Sequence, residues 1–328
     1  MTQNAGWSGM LEMINETTYG ILPTNPEMEY IGVITTGSIN DKPIIESGRF
    51  LPQNDYTDTV GQTRTSAYYH QKTTSEITVE TEYNPKDIET GFMLYALGNP
   101  VLTAGTAVTG AVDGLGTSFS VGSKILSSPK YLVYSGGYVT DFSLEVARDG
   151  LVNCSSTAMF ANAGVNAGSP GYANTANPMA SDYIGTGSHA DGIAGDILAF
   201  SDITSSTLTP AEGSAADDIV ESISINISNN IRWIKDLGGG FSTKISSAAL
   251  LGRDITIGLE LAYDELALYS SIYAGKKFTY EMTLDGYIFE FGGFVFPEYP
   301  VSMNPEELLG ETIESTQATS FKIIKPAA

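Results

Sequence analysis

The stretch Asp141–Phe160 reads DFSLEVARDGLVNCSSTAMF and predicts a β-hairpin. Arg148-Asp149-Gly150 supplies the turn, with Gly150 as the residue free to take a positive φ. On the first arm Phe142, Leu144 and Val146 alternate with Ser143 and Glu145. On the second, Val152, Cys154, Ala158 and Phe160 alternate with Asn153, Ser155 and Thr157. A period of two means one buried face and one wet face. The wet face is small and polar, carries an acid, and has no lysine or arginine between the turn and Phe160.

Working outward, residues 1–29 have little periodicity and read as an arm. Ile31 to Ile39 alternates weakly, and a polar loop is expected from there to about Gln62. In SEITVETEY, Ile77, Val79 and Thr81 oppose Thr78, Glu80 and Glu82, a strand pattern. NPKDIETGFMLYALGNP then predicts a helix, with Asn84 as N-cap, Pro85 in the first turn and Gly98 just past the end. Phe92, Leu94, Tyr95 and Leu97 form the stripe that packs it on a sheet.

Residues 161 to about 216 change character. ANAGVNAGSPGYANTANPMASDYIGTGSHADG is rich in Gly, Ala, Asn and Ser and reads as linker or extended surface loop. IAGDILAFSDITSSTLTP has room for one or two short strands. Beyond it the first pattern recurs. ESISINISNNIRW is a strand, and RDITIGLELAYDELALYSSIYAG runs from strand into a helix ending at glycine. KKFTYEMTLDGYIFEFGGFVFPEYPV is a hairpin series, and LGETIESTQATSFKII takes the place of the returning strand. The expected class is mainly β, internally duplicated: an N-terminal arm 1–19, a first domain 20–165, a linker or surface insertion 166–216, and a second domain with a C-terminal arm 217–328. The arms carry Trp7, Met10, Leu11, Ile14 and Phe321. Apolar residues on arms need a partner surface, so these five are candidate inter-subunit contacts.

Composition narrows the chemistry. Asp+Glu number 38 against Lys+Arg 16, for a net charge of −22, and Lys276-Lys277 is the longest basic run. A protein that grips nucleic acid neutralises phosphates with basic clusters, so this chain is not read as a nucleic-acid binder. The lone Cys154 lies on the apolar side of its strand and reads as a small core residue. No signal peptide or transmembrane helix is expected, and the Asn15, Asn153 and Asn226 sequons are read as chance matches.

A Ser–His–acid triad would need His70 or His189, and neither lies near a nucleophile elbow. Zinc has too few ligands. The loop acids Asp182, Asp191, Asp196, Asp202, Asp217 and Asp218 lack calcium-loop spacing. Gly114-Leu115-Gly116 is half a nucleotide fingerprint. Tyr68-Tyr69 and Phe294/Phe296 lack the basic partners that base stacking needs and read as core or interface. No enzyme activity, metal or cofactor is expected.

ETTYGILP (Glu16 to Pro23), NPKDIETGFMLYALG, GGYVTDFSLEVARDGLVNCSSTAMF, SISINISNNI and GGFVFPEYPVSM together resemble the tail tube proteins of long-tailed bacteriophages and related archaeal viruses. The resemblance spans nearly the whole chain. It implies a β-sandwich subunit with flanking helices that assembles into stacked rings, one sheet of each copy joining its neighbours in a barrel around a DNA channel. It also implies tape-measure, terminator and baseplate proteins as partners, with double-stranded DNA passing unbound and no membrane association. With two tube domains per chain the ring is a pseudo-sixfold trimer; with one, a hexamer. The protein is then a virion tail component made in the host cytoplasm.

Ser143, Glu145, Asn153, Ser155 and Thr157, with Ser222, Ser224, Asn226 and Ser228 of the repeat, are the candidate lumen-facing residues. The other reading of this face is an ordinary solvated exterior. The alternatives for the chain are another virion part (baseplate, head-completion or decoration protein) or a carbohydrate-binding or hydrolytic β domain.

Overall fold

The computed structural model of the chain describes residues 10–21, 23, 29–30, 33–48, 67–83, 85–99, 102–109, 114–125, 130–165, 197–212, 216–217, 220–236, 244–262, 266–297 and 310–326. Alternation of the kind seen in the opening hairpin runs through most of these segments. It builds two antiparallel sheets, of ten and six strands, around a shared apolar core. The mainly-β expectation is met.

In the first part, β1 (Met10–Asn15) and β2 (Glu29–Tyr30) precede a long hairpin of β3 (Val33–Gly48) and β4 (Ala67–Glu82). The loop expected after Ile39 is therefore strand as far as Gly48. Register shifts at Ile34/Thr36 and Lys42/Ile44 break the two-residue period that would have revealed it, and Pro43 sits at the second shift. Helix α1 (Pro85–Thr90) and helix α2 (Phe92–Ala96) follow, a single expected helix interrupted at Gly91. Asn84, the expected N-cap, lies outside the described residues. Next come β5 (Ala107–Thr109), β6 (Phe119–Ile125), β7 (Lys130–Val146) and β8 (Val152–Val165). In the β7–β8 turn the positive φ falls on Asp149, at 57°, and not on Gly150. A short aspartate side chain tolerates that conformation.

The second part opens with a 3₁₀ turn at Phe200–Asp202. Then come β9 (Ile203–Pro210), β10 (Ala216–Asp217) and the hairpin of β11 (Val220–Asp236) and β12 (Lys244–Ala262). Helix α3 (Leu266–Tyr273), β13 (Phe278–Leu284), β14 (Tyr287–Phe294), β15 (Gly310–Glu314) and β16 (Ser320–Ile324) complete it.

The same pairings occur in both parts. Neighbours run β2-β1-β6-β7-β8 in the first and β10-β9-β13-β14-β16 in the second. The orders β3-β4-β8 and β11-β12-β15 match likewise. The helices follow β4 and β12, and each is closed by a left-handed glycine, Gly98 at φ 75° and Gly275 at φ 64°. The second set starts at β9, inside the segment read as linker. Strand β8 does alone what β15 and β16 do together, pairing with β4 from Asn153 to Phe160 and with β7 along its whole length.

The two sets meet at β7, whose free side changes partner. Its early half pairs with β6 from Lys130 to Gly137, and its late half pairs with β11 from Asp141 to Val146. The switch falls at Gly136-Gly137. Gly136 has φ 69°, and a Cβ on Gly137 would lie 2.3 Å from the Phe160 ring, so side chains are excluded where the sheet forks.

Candidate functional site

Residues opposite one another in an antiparallel ladder share a face, so the register reads across strands. Ser143 stands opposite Ser155 on one side and Asn226 on the other. Ser155 faces Glu80, Glu80 faces Thr36, and Asn226 faces Thr256. A second row runs Glu82, Asn153, Glu145, Ser224, Gly258, Glu314. A third runs Ser38, Thr78, Thr157, Asp141, Ser228, Asp254. Ser222, two residues before Ser224, pairs with Glu260 and donates a 2.8 Å hydrogen bond to it. All nine residues picked from the sequence lie on one face of the ten-stranded sheet. Alternation in SEITVETEY and RDITIGLEL carried the signal for those it joins them to: Thr78, Glu80, Glu82, Asp254 and Thr256.

This face is hydrated and acidic. Its side chains are exposed or half-buried, and none of the three rows contains a lysine or arginine. Cross-strand hydrogen bonds tie it together: Thr36 donates to Glu80 at 2.6 Å, Ser228 donates to Asp141 at 2.9 Å, and the Thr78 and Thr157 hydroxyls are 3.2 Å apart. Among the described residues, two cations lie beyond these three rows. Arg148, in the β7–β8 turn, pairs with Glu221, and exposed Arg232 lies further along β11. The reverse face is the core: Phe142, Leu144 and Val146 of β7, Ile77 and Val79 of β4, and Ile223, Ile225 and Ile227 of β11 are buried. Cys154 belongs to it. Burial pushes its thiol up to about 12, against the opposing pull of a 2.9 Å contact with the Thr81 hydroxyl.

Two polar hubs hold the fork. The Glu16 carboxylate is buried and accepts from the Gly20 N–H at 2.7 Å, the Ser118 hydroxyl at 2.6 Å, the Ser120 hydroxyl at 2.6 Å and the Gly136 N–H at 2.7 Å. It thereby ties β1, β6 and the bend in β7 together, which is the physical content of ETTYG. Where β11 parts from β7, Asn229 donates to the Val139 carbonyl at 3.0 Å and the Ala96 carbonyl at 2.9 Å. Arg253 donates from Nε to Asn229 Oδ1 at 2.7 Å, from Nη1 to the Leu97 carbonyl at 3.0 Å and from Nη2 to the Gly114 carbonyl at 3.2 Å. Burial pushes its guanidinium down to about 10. Gly114, half of the apparent nucleotide fingerprint, thus serves as a structural acceptor.

The arm candidates divide differently. Leu11, on β1, is fully buried by its own chain, and Phe321, on β16, is 2% exposed and stacks on Phe291 at 4.3 Å. Both sit on strands paired within the chain's own sheets, β1 with β6 and β16 with β14. Ile14 is half-buried, Met10 begins β1, and Trp7 lies outside the described residues. Phe294 and Phe296 are core residues. Asp202 caps a turn by accepting from the Ala199 N–H at 2.8 Å. Asp182, Asp191, Asp196, Asp218 and His189 lie outside the described residues, and His70 and Asp217 fall in strands β4 and β10. Among the described residues no group of three His, Cys, Asp or Glu side chains is placed to hold a metal, and no helix is long and apolar enough to cross a membrane.

Fold and face define a β-sandwich subunit that presents one broad, hydrated sheet surface. The phage tail tube protein family matches the chain over residues 13–314, and the chain belongs to that family. No curated protein matches it. Membership makes it a structural component of the virion tail, of a kind that self-assembles into a tube with other tail proteins.

Proposed function

We propose that the chain polymerises into stacked rings and that the polar face of its ten-stranded sheet lines the channel through which DNA leaves the virion. One observation carries this reading: strands from both parts of the chain place hydroxyls, amides and carboxylates in continuous rows free of lysine and arginine. Every cation on a channel wall would offer passing phosphates a counterion-releasing contact, and many together would brake transit. A hydrated, weakly repulsive wall lets DNA slide.

The repeated pairing order supports two tube units per chain, so that three chains supply six units and the ring is a pseudo-sixfold trimer. Synthesis is in the host cytoplasm, and tape-measure, terminator and baseplate proteins meet the tube along its length and at its ends. Cryo-electron microscopy of the purified, polymerised protein tests this reading. The expected result is tubes of uniform diameter with three chains per ring and Ser143, Ser155 and Asn226 on the inner wall. Six chains per ring would overturn the symmetry, and those residues on the outer surface would overturn the channel assignment.

A further inference from the structure

The two sets of strands correspond residue by residue where β6 meets β7 and β13 meets β14. Phe119 pairs with Gly137 and Phe278 with Phe294, and in both ladders the register slips at the next pair. Each slip holds a left-handed glycine, Gly136 at φ 69° and Gly293 at φ 73°. Beyond it Gly122 pairs with Val133 as Glu281 pairs with Glu290. Asn15 stands opposite Phe119 as Pro210 stands opposite Phe278. The next residue donates its N–H in the same way, Glu16 to the Ser118 carbonyl at 2.9 Å and Ala211 to the Lys277 carbonyl at 2.7 Å.

From these equivalent points the two parts diverge. The connection from β1 to β2 is residues 16–28, whereas that from β9 to β10 is only residues 211–215. The longer connection folds over the face of β6 and β7 that points away from the core. Glu16 accepts from the Ser120 hydroxyl and the Gly136 N–H, and the Ser135 hydroxyl donates to the Gly20 carbonyl at 3.1 Å. Ser120 and Val133 are consequently buried, at 0% and 2% exposure. The equivalent face of β13 and β14 is open: Thr279 and Glu281 are exposed and Glu290 is half-buried. It is also acidic where its counterpart is neutral. Thr207, Glu281, Glu290 and Lys322 stand in one row, and carboxylates directly opposite one another destabilise a ladder. Lys322 pairs with Glu290 at 2.6 Å, but Glu281 has no hydrogen-bond or ion-pair partner among the described residues. A concavity of about 220 Å³ opens here, lined by Thr207, Thr209, Thr279, Tyr280, Glu281 and Glu290. Carboxylate and hydroxyl oxygens together accept from an ammonium or guanidinium. Lys276 is turned to the Glu212 carbonyl at 2.6 Å, and residues 161–196 contain no lysine or arginine.

We infer that this uncovered face is the docking surface for a different protein, one per chain, which seats a lysine or arginine between the Glu281 carboxylate and the neighbouring threonines. Charge complementarity selects the partner, and the covered face of the first part limits it to one site where the repeat would offer two. The inference rests on the channel reading above for its address, the outside of the tube.

Photo-crosslinking in virions tests this, with p-benzoylphenylalanine in place of Thr279 and, as a control, in place of exposed Thr17 on the covering turn of the first part. The probe at Thr279 should form an adduct with another virion protein, and mass spectrometry should find a lysine or arginine in the linked peptide; the probe at Thr17 should form none. Glu281→Lys should lower the adduct at least tenfold while tubes of unchanged diameter still form. Intact tubes in which the Thr279 probe stays unlinked, links only to another copy of this chain, or links to a peptide without a basic residue overturn the docking surface, as does an adduct that Glu281→Lys leaves undiminished. Cryo-electron microscopy of the same virions separates the two readings: a missing tube, or Ser143 and Ser155 on its outer wall, would remove the channel reading instead.

Discussion

Glu16 is a buried carboxylate whose four partners are a turn amide, two serine hydroxyls and the amide of the bend in β7. Its removal would strand several donors in the interior, each costing about 1–3 kcal/mol. Glu16→Ala should therefore lose at least about 3 kcal/mol of stability, read as a fall in the urea midpoint at constant slope, and Glu16→Gln, which keeps one acceptor oxygen, should lose less. An unchanged midpoint for Glu16→Ala would show that the hub contributes nothing. Cys154 gives a pH signature. Its thiol ionises near 8.5 in the unfolded chain, but burial raises it to about 12 in the folded one. The unfolded state therefore sheds the proton first, and this contribution to stability is complete below the unfolded value and is lost as pH rises towards the folded one. The slope of stability between pH 9 and 11 should flatten in Cys154→Ala, and the native thiol should stay unreactive to a thiol reagent at pH 8 until the chain is unfolded.

Strand β1 shows how a short element escapes notice and still matters. MLEMIN is too brief to establish a period, but Leu11 and Met13 are buried at 0% and 3% exposure and the strand pairs with all of Phe119–Lys124. Deleting residues 1–15 is thus expected to unpair β6 and open the core, giving a chain that fails to melt cooperatively in circular dichroism. A truncated chain with wild-type melting would show that β1 is dispensable. The helix after β4 was legible from its C-terminal glycine and apolar stripe, and α2 is buried throughout, with Tyr95 4.6 Å from Phe119. The length of β3 was not legible, because bulges remove the alternation on which strand recognition depends.

Charge organises the chain beyond any one element. The net charge of −22 is distributed so that cations flank, but do not enter, the three polar rows. Ser143→Lys combined with Glu145→Lys reverses that arrangement at the centre of the face without touching the core. Virions carrying it should assemble tails of normal length and eject DNA more slowly, and the delay should shrink as salt screens the new contacts over a Debye length of about 8 Å or less. Ejection kinetics identical to wild type would place this face on the outside of the tube.

The face was legible because alternation is local: a run such as DFSLEV declares which side chains are wet whatever its partner is, and the nine residues chosen on that basis share one surface. The recurrence of strand, helix and hairpin was visible for the same reason. The partner of each strand was not. Strand β7 takes β6 along one half and β11 along the other, a choice made by Gly136-Gly137, by the Glu16 carboxylate and by Asn229 and Arg253 arriving from distant segments. Leu11 and Phe321 became core residues, not arms, by the same long-range pairing. A two-residue period records burial, but hydrogen-bond partnership and the fork it creates depend on contacts between residues far apart in the chain, which only the folded backbone brings together.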